Sequence, residues 1–429
     1  MQNVVGLTDT AFLGRVGVVE LGACGLGVLW YFAFSLVSSG LSTGVQIMTA
    51  NRVGRTETKS VGRVVDHAMI LGLAVGLALL VWFRWITPLI FERIIVSEAV
   101  RAGAIDFIRI RGLDAFFIFG IMILRGFFNG VERNRIIMVS TFVLAATNVI
   151  LNYGLIFGRL GMPKMGLEGA AWASVIAQIT GFFVLFFYVY YRGLHREYRV
   201  FRLHFFRPRD YRKSVFRELI KISTPVGIQH IFSVLSFFLF IKLIETRGEL
   251  ALAASEVAKN LYIMFMITTW GFATAAGTFV GNLMGQNRPQ DVWPTIRRVT
   301  WTSMAVGCSI SLLLVVFPEA FLRVYTHDAS VVAVAKPLCY LFASALALYS
   351  FGGVFLYSVI ATGAAKVGMY IEITIIALYC AYMVVAHAMA VSLPVFWITE
   401  PIYFGTMALL AWAYLRSRKW ERYLTPKPA

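Results

Sequence analysis

Along this chain the residues are mostly apolar for about twenty positions at a time, for example over 64 to 83, 136 to 158, 170 to 191, 299 to 317 and 373 to 399. Such lengths match a hydrocarbon layer of about 30 Å crossed at about 1.5 Å per helical residue. A backbone with unpaired polar groups is not stable in lipid, so these runs are helices. The pattern predicts an all-α polytopic membrane protein with twelve helices, at 1–13, 22–50, 62–83, 105–127, 136–158, 168–191, 216–244, 252–284, 296–317, 333–360, 369–390 and 393–415. Between the sixth and seventh lies the one long basic stretch that does not span, "RGLHREYRVFRLHFFRPRDYRKSV". Its Phe and Tyr residues spaced among arginines are the pattern of an amphipathic helix on the inner membrane surface. The expected organisation is therefore an N-lobe over 1–191, a cytoplasmic linker over 192–215, a C-lobe over 216–415 and a tail over 416–429.

The two halves repeat. A shift of 231 pairs Gly17 with Gly248, Leu21 with Leu252, Ala23 with Ala254, Phe34 with Phe265, Thr43 with Thr274, Asn51 with Asn282 and Gly54 with Gly285. A shift of 235 then pairs Arg63 with Arg298 and Met69 with Met304, and a shift of 233 pairs Gly120 with Gly353 and Thr141 with Thr374. Two six-helix halves of one orientation form a parallel repeat around a central cavity, a plan used for alternating access. Under the 231 shift Met1 aligns with Phe232, well inside helix 7, so the first helix reads as lacking its partner's first turns. The expectation is an apolar stretch of about 15 codons upstream of this methionine, long enough to complete a span.

Composition narrows the class. With 59% hydrophobic and 14% charged residues, a water-soluble domain would lack polar material for its surface. The net charge of +17 sits mainly in alternate loops, at Arg52, Arg55, Lys59 and Arg63, at Arg133 and Arg135, through the linker, at Arg297 and Arg298, and at the C-terminus. The positive-inside rule places both termini and the even loops in the cytoplasm of an inner-membrane protein, and anionic lipid rather than nucleic acid accounts for the charge. No cleavable signal peptide is visible. Cys24, Cys308, Cys339 and Cys380 lie in spans without C-x-x-C spacing and suggest packing, not a disulfide or zinc framework. His195 and His204 lie in the arginine-rich linker, and His230 and His387 are isolated within spans, more in keeping with packing than with a proton relay.

Three stretches resemble the multidrug and toxic-compound extrusion (MATE) family: "DTAFLGRVGVVELGA", "FIRIRGLDAFFIFGIMILRGFFNGVERNRI" and "TNVILNYGLIFGRLGMPKMGLEGAAWASVIAQ". The last is the most specific, through Asn-x-x-x-Asn-Tyr, Ile-Phe-Gly and Gly-Ala-Ala. The resemblance covers essentially the whole chain. It implies two six-helix lobes and efflux of organic cations, drugs and other amphiphiles in exchange for inward Na⁺ or H⁺, with no cofactor, a monomer being expected.

Asp9 stands where the family has a helix 1 carboxylate that binds the coupling cation. An acid within a span is unfavourable by about 2.5–3.5 kcal/mol and usually faces a bundle interior with a role or a partner; an interfacial acid paired with Arg15 is the plainer alternative. Asn148 and Asn152 lie one turn apart and share a face. The resemblance makes them cation ligands, although family members carry Asp at the second position; an amide pair holding two helices together is equally open. Ser174 takes the approximate place of a family hydroxyl. Asp106 with Arg109 and Arg111 with Asp114 are spaced for ion pairs within helix 4. Some branches use acids on helices 7, 8 and 10, whereas this chain has Glu245, Glu256, Glu372 and Glu400 elsewhere, which makes a C-lobe cation site doubtful. Glu400 before Pro401 reads either as a hydrogen bond at a kink or as a substrate contact.

No H-E-x-x-H, G-x-S-x-G or Walker sequence occurs, so the chain is not read as an enzyme or an ATP-driven pump. A lipid-linked oligosaccharide flippase of the same superfamily, a membrane-embedded lipid-modifying enzyme and a non-transporting scaffold are the rival readings. The first would call for cavity arginines and the second for a facial cluster of His, Asp or Glu.

Overall fold

The computed structural model describes residues 2–202, 212–326 and 328–424; His204, Arg207 and Arg209 of the linker lie outside them. Among the described residues the structure is helical and carries no strand. The membrane helices are α1 (Gln2–Leu13), α2 (Val18–Gly54), α3 (Thr58–Ile94), α4 (Glu98–Arg111, then Gly112–Asp114 and Ala115–Gly130), α5 (Arg135–Phe157) and α6 (Gly166–Tyr191). There follow α7 (Lys213–Glu245), α8 (Glu249–Gly285), α9 (Pro289–Val316), α10 (Ala329–Ala361), α11 (Ala365–Ala388) and α12 (Leu393–Arg416).

Ten of these are long and apolar enough to cross a membrane. The other two are α1, of 12 residues, and α4, whose regular path gives way to a 3-10 turn at Gly112–Asp114. That turn follows the polar run that the sequence marks. Arg111 pairs with Asp114, Tyr31 donates to the same carboxylate, and the guanidinium lies 4.2 Å over the Tyr31 ring. Both charges are buried rather than interfacial. Asp106 and Arg109 approach to 3.9 Å on the exposed side.

Helix starts bear out the repeat and correct its register. Val18 and Glu249, Thr58 and Pro289, and Glu98 and Ala329 open successive pairs at one offset, and Gly54 and Gly285 close the first pair at the same offset. The identities at shifts of 235 and 233 therefore join residues about four and two positions out of structural register. Four residues is close to one turn, so the slipped pairing still matches apolar faces. The helices are also longer than the apolar runs, because polar first and last turns extend them, as Pro289 and Gln290 do for α9.

The chain divides into two compact units, one of Met1–Thr49 with Glu57–Ser223, the other of Ala50–Thr56 with Thr224–Ala429. In the first, Leu13, Cys24, Phe107, Ile156, Ala170 and Ala171 form a closed apolar core that clamps the end of α1 between α2, α4, α5 and α6. In the second, Phe240, Phe342, Phe396 and Trp397 interlock, and Trp397 Nε1 donates to Ser255 Oγ at 3.0 Å.

The described start of the linker differs from a surface helix. It holds only the turn Leu194–Glu197, and buried Leu194, Tyr198 and Val200 pack into the first unit. Asp66 in the third turn of α3 accepts from the backbone N–H of Phe201 (2.6 Å) and Arg202 (3.0 Å), which ties this segment down.

Candidate functional site

Helices α5 and α6 run antiparallel and very close. A Cβ on Gly169 would lie 2.7 Å from the Leu155 carbonyl oxygen, so only glycine fits there. At the other end Ser140 Oγ donates to the Gly181 carbonyl at 2.8 Å. Between these pins the facing positions are polar: Asn148 and Asn152 from α5, Ser174 and Gln178 from α6. On α1, Leu13 is held in the apolar core, and Asp9, one turn earlier on the same face, is thereby directed at them.

The result is a set of buried polar residues, none more than 1% exposed. Asn152 Nδ2 donates to Asp9 Oδ1 at 2.7 Å and Asn148 Nδ2 to the same oxygen at 3.2 Å. Ser174 Oγ donates to Asp9 Oδ2 at 2.6 Å and lies 3.2 Å from Asn148 Nδ2. Asn148 Oδ1 accepts from Asn152 Nδ2 at 3.3 Å. Asn152 Oδ1 and both amide atoms of Gln178 are buried without any hydrogen-bond partner. Buried polar atoms are nearly always paired, so orphaned ones mark a place for a water, an ion or a ligand.

The carboxylate thus faces neutral donors only. Arg15 is exposed and not its partner, which removes the interfacial reading. Arg111 acts on Asp9 through space, but its own ion pair is with Asp114. Two acid oxygens, two amide oxygens and a hydroxyl, with Gln178 one turn farther along α6, make an all-oxygen donor set suited to a hard cation or a proton.

The structure gathers Asp9, Asn148, Asn152 and Ser174, four residues far apart in sequence. Glu400 is not among them. It lies in the second unit, where it accepts from Tyr379 Oη at 3.3 Å beside the break between Phe396 and Thr399. Glu245 and Glu256 pair with Lys242 and Lys259. His230 Nδ1 lies 2.7 Å from the Val226 carbonyl, and His387 is exposed. Gln178 was not singled out from the sequence. The available signal was its position four residues after Ser174 in an otherwise apolar helix.

The MatE family model matches residues 1–154 and 225–387, well over half of the chain. The chain belongs to the MatE family. Among curated proteins, this MatE chain is 24% identical to a probable multidrug resistance protein NorM of Thermotoga maritima over 78% of its own length and 71% of that protein. It is 28% identical to the corresponding protein of Agrobacterium fabrum, over 79% and 72%. A solved outward-facing multidrug resistance MATE transporter superposes with a TM-score of 0.87 at 18% identity, covering 97% of this chain and 92% of that one. A MOP superfamily transporter from Pyrococcus furiosus superposes at 0.84, also at 18% identity. At such identities the agreement speaks for the fold: an all-α membrane protein of the twelve-helix, two-lobe kind. Proteins of this family are transporters and not enzymes.

Proposed function

We propose that this chain is a secondary active antiporter that exports organic cations, drugs or other amphiphilic toxic compounds in exchange for inward H⁺ or Na⁺. The single observation that carries the reading is Asp9: a buried membrane acid with neutral donors from α5 and α6 and no basic side chain bonded to it. A carboxylate there is costly when bare, so the cluster is more stable with a cation bound, by a proton on an oxygen or by Na⁺ among the oxygens. The coupling ion is cargo, taken up on one side and released on the other.

Cation binding acts on helix packing directly. With a cation present the amide and hydroxyl groups no longer need to turn their donors to Asp9, and α1 is held to α5 and α6 by different bonds. Repacking of α1 is the step that links ion occupancy to substrate release, with the two lobes exposing the substrate alternately. One charge falling through 100 mV supplies about 2.3 kcal/mol, close to the cost of one buried charge. Distribution of arginine and lysine supports a place in the cell inner membrane with both termini cytoplasmic.

The test is uptake of a fluorescent organic cation into proteoliposomes under an imposed H⁺ gradient, an imposed Na⁺ gradient, or neither. One of the two gradients is expected to drive accumulation against concentration. Equal movement in all three conditions contradicts antiport.

A further inference from the structure

The membrane part of α4 carries an arginine that the proposed cycle does not use, Arg125, set in the apolar run "GIMILRGFF". Arg109 and Arg111 of the same helix have Asp106 and Asp114 as partners. Arg125 has none: among the described residues no hydrogen bond or ion pair reaches it, and no acid acts on its charge. A charged side chain within a span is disfavoured, and where one occurs it faces a bundle interior or an opening and pairs with something there.

The direction of Arg125 follows from its neighbours. Gly126 backs onto the Ser42 carbonyl and Val45 of α2, Ile123 onto Gly72 of α3, and Gly120 onto the Phe182 ring of α6. At about 100° per residue these three lie on one half of α4, and Arg125 lies on the other. Its own stripe holds Asp114, Ile118 and Ile121, each at most 1% exposed. That stripe turns into protein, for Asp114 meets Tyr31 and Arg111 on it. Arg125, toward the Gly130 end of the same stripe, is only half-buried. Its guanidinium therefore opens onto an interior space and not onto lipid.

The internal repeat shows that the fold does not need a charge here. Helix α4 and its counterpart α10 end at Gly130 and Ala361, and the same offset sets Leu356 against Arg125. Leu356 is buried in the second unit. A guanidinium without an acid is a planar fork of donors, matched in shape to a carboxylate, sulfonate or phosphate. Away from bulk water it gains most from an anion that arrives on an apolar body.

We propose that Arg125 anchors the anionic group, a carboxylate, sulfonate or phosphate, of an amphiphilic substrate bound inside the first unit. This rests on the transporter reading and narrows its substrate class, from organic cations at large to amphiphiles that also carry a negative group.

The experiment compares two dyes on the purified full chain in detergent by fluorescence anisotropy. Rhodamine B carries a free carboxylate beside its cationic ring system; its ethyl ester keeps the cation and lacks the anion. Wild type is expected to bind the acid more tightly than the ester by about tenfold or more, the worth of a hydrogen bond to a charged group. Arg125→Leu, which installs the residue of the second unit, is expected to bind the two dyes alike, and Arg125→Lys to keep part of the preference. The ratio of acid to ester is the readout, because a merely structural arginine would weaken both dyes equally. Melting temperatures are taken alongside, and Arg125→Lys serves if Arg125→Leu does not fold. An anionic lipid headgroup offers the same chemistry, so phosphatidylglycerol is added as competitor with phosphatidylcholine as control. Release of the acid dye by phosphatidylglycerol alone makes the substrate an anionic lipid; no release makes it a soluble amphiphile, and Arg125 is the anchor in both cases. The proposal is overturned if wild type does not prefer the acid, or if the variants keep the full preference. Failure of every gradient to move either dye into proteoliposomes would instead sink the transporter reading and leave the binding preference standing.

Discussion

Replacing Gln178 by methionine separates a structural from an ion-binding role by the sign of two effects. Both amide atoms of Gln178 are buried with no hydrogen-bond partner. Each unsatisfied polar group is unfavourable by about 1–3 kcal/mol. Methionine has similar volume and shape, so the repacking penalty stays below about 1.5 kcal/mol. With two such groups removed, the net expectation is a variant more stable than wild type by about 0.5–6 kcal/mol. For a cooperative unit of roughly 200 residues this corresponds to a melting temperature higher by about 1–24 °C. Transport is expected to move the other way if the cation bound near Ser174 draws on the Gln178 oxygen one turn farther along α6. A loss of one ligand bond is worth about tenfold in apparent cation affinity. The assays are intrinsic tryptophan fluorescence during heating in detergent without added cation, and gradient-driven uptake of a fluorescent cation in proteoliposomes. A lower melting temperature would show that Gln178 has a partner after all. Unchanged cation dependence with raised stability would make it a packing residue only.

Other substitutions probe the frame that positions the cluster. Gly169→Val places methyl groups against the Leu155 carbonyl, forces α5 and α6 apart, and is expected to lower stability by about 1–3 kcal/mol in a melting assay and reduce transport with it. Asp114→Ala strands the buried Arg111 and is expected to destabilise by about 3–5 kcal/mol, read as loss of folded protein on size exclusion. Asp66→Ala removes the acceptor of the Phe201 and Arg202 amides and should speed protease cleavage in the linker without abolishing transport. Lys336 holds the Glu319 carboxyl below its ordinary 4.5, so the pair adds stability above that pH and loses it as pH falls further; Glu319→Gln should flatten the acid side of the melting-temperature profile.

Most of the fold was legible because the apolar runs, the loop charges and the internal repeat each carry independent signals. The parts that were not legible have physical causes. Helix lengths fell short because first and last turns are polar and invisible to an apolar count. The shift of 235 slips by about one turn, which leaves the apolar face unchanged, whereas the shift of 233 slips by two residues onto the other face and rests on residue identity alone, so identity does not fix the register. In the site, Asp9, Asn148 and Asn152 stood out as polar residues in apolar surroundings, and Ser174 followed from the family pattern. Gln178 did not, because an amide reads as surface or glue until its neighbours on other helices are known. The Asp9 and Arg15 alternative failed for the same reason, since nearness in sequence did not become nearness in space.

The measurement that bears most directly on the account is gradient-driven transport by Asp9→Asn, compared with wild type in proteoliposomes at matched protein content and melting temperature. The account predicts that the variant folds, since Asn keeps the shape of the side chain, and that neither an H⁺ nor a Na⁺ gradient drives accumulation of a fluorescent organic cation. Full gradient-driven transport by Asp9→Asn would contradict it.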